Sequence, residues 1–327
     1  MTTQAQLSDR ADRATPARAS AAQPVARRAG RVRQRWELVL LLGPALVLFL
    51  GFVLTPIGIA VYYSLYDWTG FGSLSQFTGL QNYELVLTGT VFQRSVIHNL
   101  IIAALSLIIQ LPLSIGLALL LNRKLRGRAV LRLVVFAPYV LSEATTAVIW
   151  LLMLQPGGFV DQVLRAVGLG GLIHLWLANT GIVLYTLFVV ITWKFIGFGI
   201  ILLLAGLQGI PAELREAAAL DGAGAWQATR HITLPLLGPT IRIWIFLSVI
   251  GSLQLFDLVW IMTLGGPANA SSTMATYLID HGFKRYEFGY GSAVAVLLFT
   301  ICFVFALLYQ RFALRRDTDG ALTRMAG

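Results

Sequence analysis

Four polar residues, Glu143, Lys194, Gln254 and Asp257, stand inside long apolar runs of the sequence. An unpaired charge is costly in apolar surroundings, so such groups usually pair with one another or line a polar path. Two interpretations stay open. Glu143 and Lys194, which we place at similar depth, form a buried ion pair that fixes helix packing. Alternatively, these side chains hydrogen-bond a polar solute or relay protons.

The other reactive residues form no catalytic or metal-binding pattern. The four histidines are scattered among different segments, without the spacing of metal ligands. Cys302 is the only cysteine, which excludes an intramolecular disulfide. No Gly-x-x-x-x-Gly-Lys-Ser/Thr motif occurs, so the sequence lacks this nucleotide-binding loop. We therefore expect a protein that is not an enzyme and has no cofactor or metal of its own.

The composition indicates a membrane protein. Of the 327 residues, 57% are hydrophobic and only 12% are charged, against about 25% charged in soluble domains. The mean hydropathy is +0.74. A membrane-spanning helix needs about 20 mostly apolar residues, and the sequence contains six such runs. The predicted fold is therefore an all-α integral membrane protein with six transmembrane helices. The runs are 38–64, 96–121, 130–154, 181–207, 240–264 and 291–313.

The basic residues predict the orientation of the chain. The net charge is +10, a value that also suits nucleic-acid binding. Here, however, Lys and Arg flank the apolar runs, twenty on one side and four on the other, which favours cytoplasmic termini and no nucleic-acid partner. We expect a disordered basic tail over 1–36, a transmembrane domain over 37–313 and a short cytoplasmic tail over 314–327.

The loop at 208–240, between the fourth and fifth runs, predicts a helix–turn–helix at the cytoplasmic surface. Pro211 suits a first helical turn, and residues 212–220 are strong helix formers. The segment 221–224 supplies a stop signal, and a second short helix is expected from Ala225 to His231, with Pro235 breaking it. This element either docks into a groove of a partner or rests on lipid headgroups.

The spacing within this loop resembles a known family. Glu216-Ala217-Ala218, three residues, Gly222, nine residues and then Ile232-Thr233-Leu234-Pro235 are similar to the EAA loop of ABC importer permeases. The resemblance implies that the loop is a coupling helix seated in an ATP-hydrolysing subunit. The positions that would carry this contact are Glu216, Ala217, Ala218, Gly222, Ile232, Leu234 and Pro235.

Further segments resemble sugar-uptake permeases of the maltose and glycerol-3-phosphate transporter type, over roughly residues 38–313. The resemblance implies a multi-pass protein of the bacterial inner (plasma) membrane. Its expected partners are a second homologous permease, two ATP-binding subunits that hold ATP and Mg, and an extracytoplasmic solute-binding protein facing the loops at about 65–95, 155–180 and 265–290. The segments that carry this likeness are 79–83, 263–267 and 289–293.

The expected function is passage of a sugar, a disaccharide or oligosaccharide, by alternating access driven by the partner ATPases. One alternative is an importer of glycerol-3-phosphate or another polar solute. A phosphate path should present several Arg or Lys side chains, whereas Lys194 is the only intramembrane cation, which favours a neutral sugar. Two further possibilities are an ion-coupled transporter using Glu143, Lys194 and Asp257, and a membrane enzyme, for which no polar catalytic cluster assembles.

Overall fold

The computed structural model describes residues 40–74, 76–123 and 126–314, and these are mostly helical. The chain divides into two units at Pro56. The predicted tail 1–36, and the predicted tail 314–327 beyond Leu314, lie outside the described residues. Five described helices are long and apolar enough to cross a membrane, and a bent helix pair brings the number of spans to six if it is counted as one.

The helices and strands follow one another in a simple order. Helix α1 (Leu40–Tyr63) precedes a short antiparallel ribbon in which Tyr66 pairs with Phe77. The ribbon is β1 (Tyr66–Asp67) and β2 (Gln76–Phe77). The remaining helices are α2 (Gln81–Thr88), α3 (Thr90–Leu121), α4 (Arg128–Val140), α5 (Glu143–Met153), α6 (Phe159–Ala166), α7 (Val183–Gln208), α8 (Ala212–Leu220), α9 (residues 225–236), α10 (Gly238–Leu253), α11 (Asp257–Thr263), α12 (Met274–Ile279) and α13 (Phe288–Ala313).

The third apolar run does not form the single span predicted over 130–154. Helices α4 and α5 meet there at an angle of 100°. Pro138 lies in the last turn of α4 and weakens its backbone hydrogen bonding. Leu141 is extended, and Ser142 caps α5 by accepting a hydrogen bond from the Thr145 N–H at 3.1 Å. Glu143 is therefore the first residue of α5 rather than a residue inside one continuous helix.

The fifth apolar run is also interrupted. Helix α10 ends at Leu253 and α11 begins at Asp257, with non-helical backbone between them. Asp257 therefore occupies the first turn of a helix, as Glu143 does, where a carboxylate is favoured by the helix dipole. The two interruptions place two acidic residues at the start of separate half-helices.

Helix α7 forms the centre of the second unit, residues 57–327, and packs against α3, α4 and α10. Its inner turns contribute buried Ile200 and Leu203 to a core that includes Leu237. A Cβ at Gly206 would lie 2.4 Å from Thr240 Oγ1 and 2.8 Å from Leu237 Cδ1, so only glycine fits there. Small residues allow this close approach of membrane helices, and the contact joins α7 to the segment that follows the loop.

Candidate functional site

A cavity of about 360 Å³ lies where the two helix interruptions face each other. This volume is within the range of about 300–1,000 Å³ typical of small-molecule sites. Glu143, Gln254 and Asp257, three of the four predicted pathway residues, line it together. The structure therefore brings together residues that the sequence placed on different spans.

The rest of the cavity wall combines aromatic rings with uncharged polar groups. Such a lining suits a ligand with both apolar and hydroxyl-bearing faces. None of the described residues that line the cavity is Lys or Arg. The aromatic members are Tyr139, Phe195, Phe198, Trp244 and Phe256, and the uncharged polar members besides Gln254 are Ser106, Gln110, Ser248 and Ser252.

Lys194 does not pair with Glu143. Its ammonium donates hydrogen bonds to the carbonyl oxygens of Pro138 at 3.1 Å and Tyr139 at 2.9 Å, and to that of Leu141. No ion pair within 4.0 Å joins it to a described carboxylate. The side chain is only 3% exposed and does not line the cavity. Lys194 thus satisfies the free carbonyls at the end of α4, where a cation is favoured by the helix dipole.

Asn99 holds the second interruption in place. Its amide nitrogen donates to the Ser252 carbonyl at 2.6 Å, and its oxygen accepts from the Met274 N–H at 2.9 Å. Thr273 Oγ1 donates to the Leu255 carbonyl at 2.8 Å. These bonds satisfy backbone groups that the break in the helix would leave without partners. Asn99 was not among the sequence candidates, and a buried polar residue in an apolar run is the signal for it.

We expect Asn99→Leu to lower the free energy of unfolding by about 2–4 kcal/mol, because it leaves buried backbone groups unpaired. The change is measured as a lower midpoint of thermal unfolding of the detergent-solubilised protein. Ser95→Ala is the control, since it removes a single bond to Ser272 Oγ between the same regions and should cost less. An Asn99→Leu protein as stable as the parent contradicts this role.

The loop over 208–240 is a helix–turn–helix, as the sequence predicts. At the end of α8 the Gly222 N–H donates to the Ala219 carbonyl at 3.1 Å, and the Ala223 N–H donates to the Ala218 carbonyl at 2.9 Å. These paired bonds form a Schellman cap, which needs a left-handed residue at its turn. Gly222 supplies it with φ of +81°. In this cap the left-handed residue comes four positions after the residue whose carbonyl accepts the longer-range bond, which is the spacing of Gly222 and Ala218.

The resembling positions differ in their exposure. Glu216 and Ala217 are exposed on α8, whereas Ala218 is buried. Ile232 and Leu234 belong to α9 and are half-buried, separated from α8 by the turn.

Pro235 does not end the second helix. Helix α9 continues through a π-turn at Thr229–Thr233 and then to Leu236. The Leu234 N–H donates to the Thr229 carbonyl, five residues earlier, and Pro235 follows in the first turn of the next segment. Proline is tolerated there because its missing N–H falls at a restart of the helical pattern. The predicted break at Pro235 is therefore wrong.

Two large apolar side chains on this loop are exposed, which the sequence did not predict. Leu220 is 90% exposed at the end of α8, and Trp226 is 69% exposed at the start of α9. Leu214 is also exposed on α8. Exposed large apolar side chains of this kind are candidates for an interaction surface. We call Leu214, Glu216, Leu220 and Trp226 the loop surface.

The segment 155–180 is held by a buried carboxylate. Asp161 accepts hydrogen bonds from Trp176 Nε1 and the Gly157 N–H, both at 2.8 Å. The Trp176 bond, followed by that from Gly157, holds the pKa of the Asp161 carboxyl below its usual range. These bonds stabilise the folded segment above the ordinary pKa of Asp, and the stabilisation is lost as the pH falls through the lowered value.

Apolar helices that break around a polar cavity are typical of membrane transport proteins. The chain belongs to the family of binding-protein-dependent transport system inner membrane components, whose family model matches residues 110–318. The protein is thus an inner-membrane permease component.

Individual relatives cover most of the chain. The permease of the diacetylchitobiose uptake system of Streptomyces coelicolor is 32% identical over 291 residues, which cover 85% of this chain and 82% of the relative. The permease of the trehalose/maltose transport system of Thermococcus litoralis is 31% identical over 280 residues, covering 85% and 94% respectively.

The fold also matches a solved structure. The crystal structure of a bacterial ABC transporter involved in import of the acidic polysaccharide alginate contains a chain that superposes with a TM-score of 0.75. The match covers 88% of this chain and 99% of that chain, at 23% identity. Such a likeness shows the fold alone.

Proposed function

We propose that this chain is the membrane-spanning subunit of an ATP-driven importer that passes a disaccharide or oligosaccharide by alternating access. The loop over 208–240 docks into a separate ATPase subunit, and the cavity at the helix interruptions is part of the sugar path. ATP and Mg are bound by the partner, and this chain contributes no catalytic residue.

The exposed loop surface is the observation that carries this proposal. Leu220 and Glu216 are exposed on the short, tightly capped α8, and Trp226 is exposed at the start of α9, just after the turn. Such groups gain most when a partner covers them. A lipid surface would also accept the apolar groups, but the membership of a binding-protein-dependent transport family favours a protein partner.

The loop is connected directly to the transmembrane core. Helix α9 leads into Leu237, which is fully buried among residues of α3 and α7. Gly206 of α7 packs tightly against Leu237 and Thr240. A displacement of the loop is therefore transmitted to α7 and α10 as a switch between packed arrangements.

A sugar is supported by the cavity and by the relatives. Aromatic rings beside hydroxyl and amide groups match the two faces of a pyranose ring. The relatives named for diacetylchitobiose and for trehalose/maltose make a disaccharide the natural size. A phosphate ester is disfavoured, because the described lining offers it no Lys or Arg. Family membership also speaks against the ion-coupled alternative.

The assembly and its orientation complete the proposal. We place both termini in the cytoplasm, from the distribution of Lys and Arg. A second homologous permease lies beside this chain, two ATP-binding subunits lie below, and an extracytoplasmic solute-binding protein delivers the sugar to the opposite face.

Reconstitution tests the proposal. The importer is purified with its accompanying subunits, placed in liposomes and supplied with its solute-binding protein and labelled N,N′-diacetylchitobiose or maltose. We expect uptake that requires ATP and the binding protein. Uptake driven by a proton or sodium gradient in the absence of ATP would overturn the proposal.

Leu220→Arg should separate the ATPase from the membrane subunit and reduce ATP-driven uptake by at least tenfold, because a charge replaces an apolar contact at a buried interface. Leu220 is almost fully exposed in the isolated chain, so the fold should be unaffected. Leu172→Arg, at a position 55% exposed in the segment expected to face the solute-binding protein, is the matched control for co-purification alone. Co-purification is measured for both variants and uptake for Leu220→Arg, and equal loss of the ATPase from both variants contradicts the docking role.

A further inference from the structure

The cavity contains two carboxylates and no cationic side chain among the described residues that line it. Glu143 and Asp257 both line it. The nearest intramembrane cation, Lys194, directs its ammonium to three backbone carbonyls and does not line the cavity. Even with Lys194 included, the formal charge of this group is negative.

The helix ends at the cavity do not neutralise this charge. At each interruption the carbonyl end of one half-helix meets the amide end of the next, α4 with α5 and α10 with α11. Each carboxylate lies at the amide end of a half-helix, and the partial positive charge there, about half a unit, offsets only part of the carboxylate's full charge. The two carboxylates therefore dominate the potential inside the cavity.

A separate observation indicates that the cavity suits a hydroxyl-bearing ligand. Gln110 lines the cavity and is only 4% exposed. Within the described residues its side-chain amide has no hydrogen-bond partner, whereas Asn99 on the same helix has three. The amide therefore faces the cavity with its donors and acceptor available. A ligand that both donates and accepts hydrogen bonds, as sugar hydroxyls do, suits it.

We propose that the cavity is a charge filter, in which Glu143 and Asp257 admit neutral or amino-bearing saccharides and reject acidic ones. This inference rests on the proposed passage of a sugar and adds its charge class. The fold alone does not decide that class, since a chain of the same fold belongs to a transporter of an acidic polysaccharide. An acidic sugar would meet two like charges in a confined site of low dielectric constant, where repulsion is strong.

The sign of the potential can be measured without a substrate. Cys302 is the only cysteine, so Cys302→Ala gives a thiol-free background. Gly251 lines the cavity, and a Cβ there meets no heavy atom within 4 Å, which makes Gly251→Cys a compatible probe. The intact detergent-solubilised protein, with its accompanying subunits, is treated with a trimethylammonium and a sulfonate methanethiosulfonate reagent of similar size.

We expect the cationic reagent to react about tenfold faster than the anionic one at Gly251→Cys, after correction for their rates with a free thiol. The ratio should fall towards one when Glu143→Gln and Asp257→Asn are added. The control cysteine, Ala178→Cys, is exposed and does not line the cavity, and its ratio should not respond. A ratio near one in the parent, or one unchanged by the two substitutions, overturns the inference.

Protection of the same thiol tests the saccharide class. N,N′-diacetylchitobiose should slow modification of Gly251→Cys, and digalacturonate at the same concentration should not. With Glu143→Gln and Asp257→Asn the difference should disappear. Equal protection by both sugars in the parent overturns the charge filter. Protection by neither sugar contradicts the proposed sugar passage instead, while the reagent ratio still reports the charge of the cavity.

Discussion

Replacing Gly222 with valine reduces ATP-driven uptake by at least tenfold while the protein stays folded in the membrane. Gly222 adopts φ of +81°, a region that a β-branched residue enters only at a cost of about 1–3 kcal/mol. The Schellman cap then opens, and α8 loses the orientation that presents Glu216 and Leu220. About 1.4 kcal/mol shifts an equilibrium constant tenfold. In most molecules of the variant, therefore, the loop over 208–240 would no longer have its native orientation.

The neighbouring Gly224 provides the matched control. Its φ is −66°, and an added Cβ would make only an ordinary 3.6 Å contact with Gln227 Oε1. Gly224→Ser should therefore leave uptake nearly unchanged. Gly222→Asn should fall between the two, because Asn tolerates the left-handed region. Uptake, ATPase activity and protein abundance are measured together, and normal uptake by Gly222→Val contradicts the assignment of the turn.

Lys194→Met lowers the free energy of unfolding by about 3 kcal/mol or more. The buried carbonyls of Pro138, Tyr139 and Leu141 each lose a charged donor, and unpaired buried groups cost about 1–3 kcal/mol apiece. The hydrogen bonds that hold the bend between α4 and α5 are lost. Glu143, which follows the bend, therefore also moves away from the cavity. The measurements are the thermal midpoint and the uptake rate of the detergent-purified and reconstituted importer.

A double-mutant cycle with Glu143→Gln separates this role from a buried ion pair. We expect Glu143→Gln alone to cost little stability, and the double variant to be about as unstable as Lys194→Met. An ion pair predicts the opposite, because removing both charges would relieve the unpaired carboxylate left by the single change. Recovery of stability in the double variant would show that Lys194 acts on Glu143 rather than on the backbone.

The sequence predicted the apolar spans well because their signal is summed over about 20 residues. It also identified the loop, since the cap at Gly222 depends on local spacing that is visible in the chain. It missed the interruption at 141–142, where hydropathy alone reads a continuous run. The sequence does contain helix stop and start signals there, namely Pro138, Ser142 and Glu143. They are hidden when hydropathy is averaged over the whole run.

Other features depend on contacts between distant segments. Lys194 meets the carbonyls of α4 more than fifty residues away in sequence, and Asn99 meets Ser252 and Met274 from a different helix. Similar depth in the membrane suggested that Lys194 and Glu143 pair. Depth does not show, however, that the carbonyls at the end of α4 are the partners of Lys194. The grouping of Glu143 with Asp257 likewise follows from the tertiary fold.

We infer that this permease receives its energy through the loop surface, and co-purification is the direct test. The full-length chain is isolated in mild detergent from its native membrane, its partners are identified and ATP hydrolysis is assayed. We predict an ATP-binding subunit and a second permease, with the ATP-binding subunit lost from Glu216→Lys and Gly222→Val but retained by Gly224→Ser. A folded chain that carries no ATP-binding subunit, even after crosslinking, would contradict the claim.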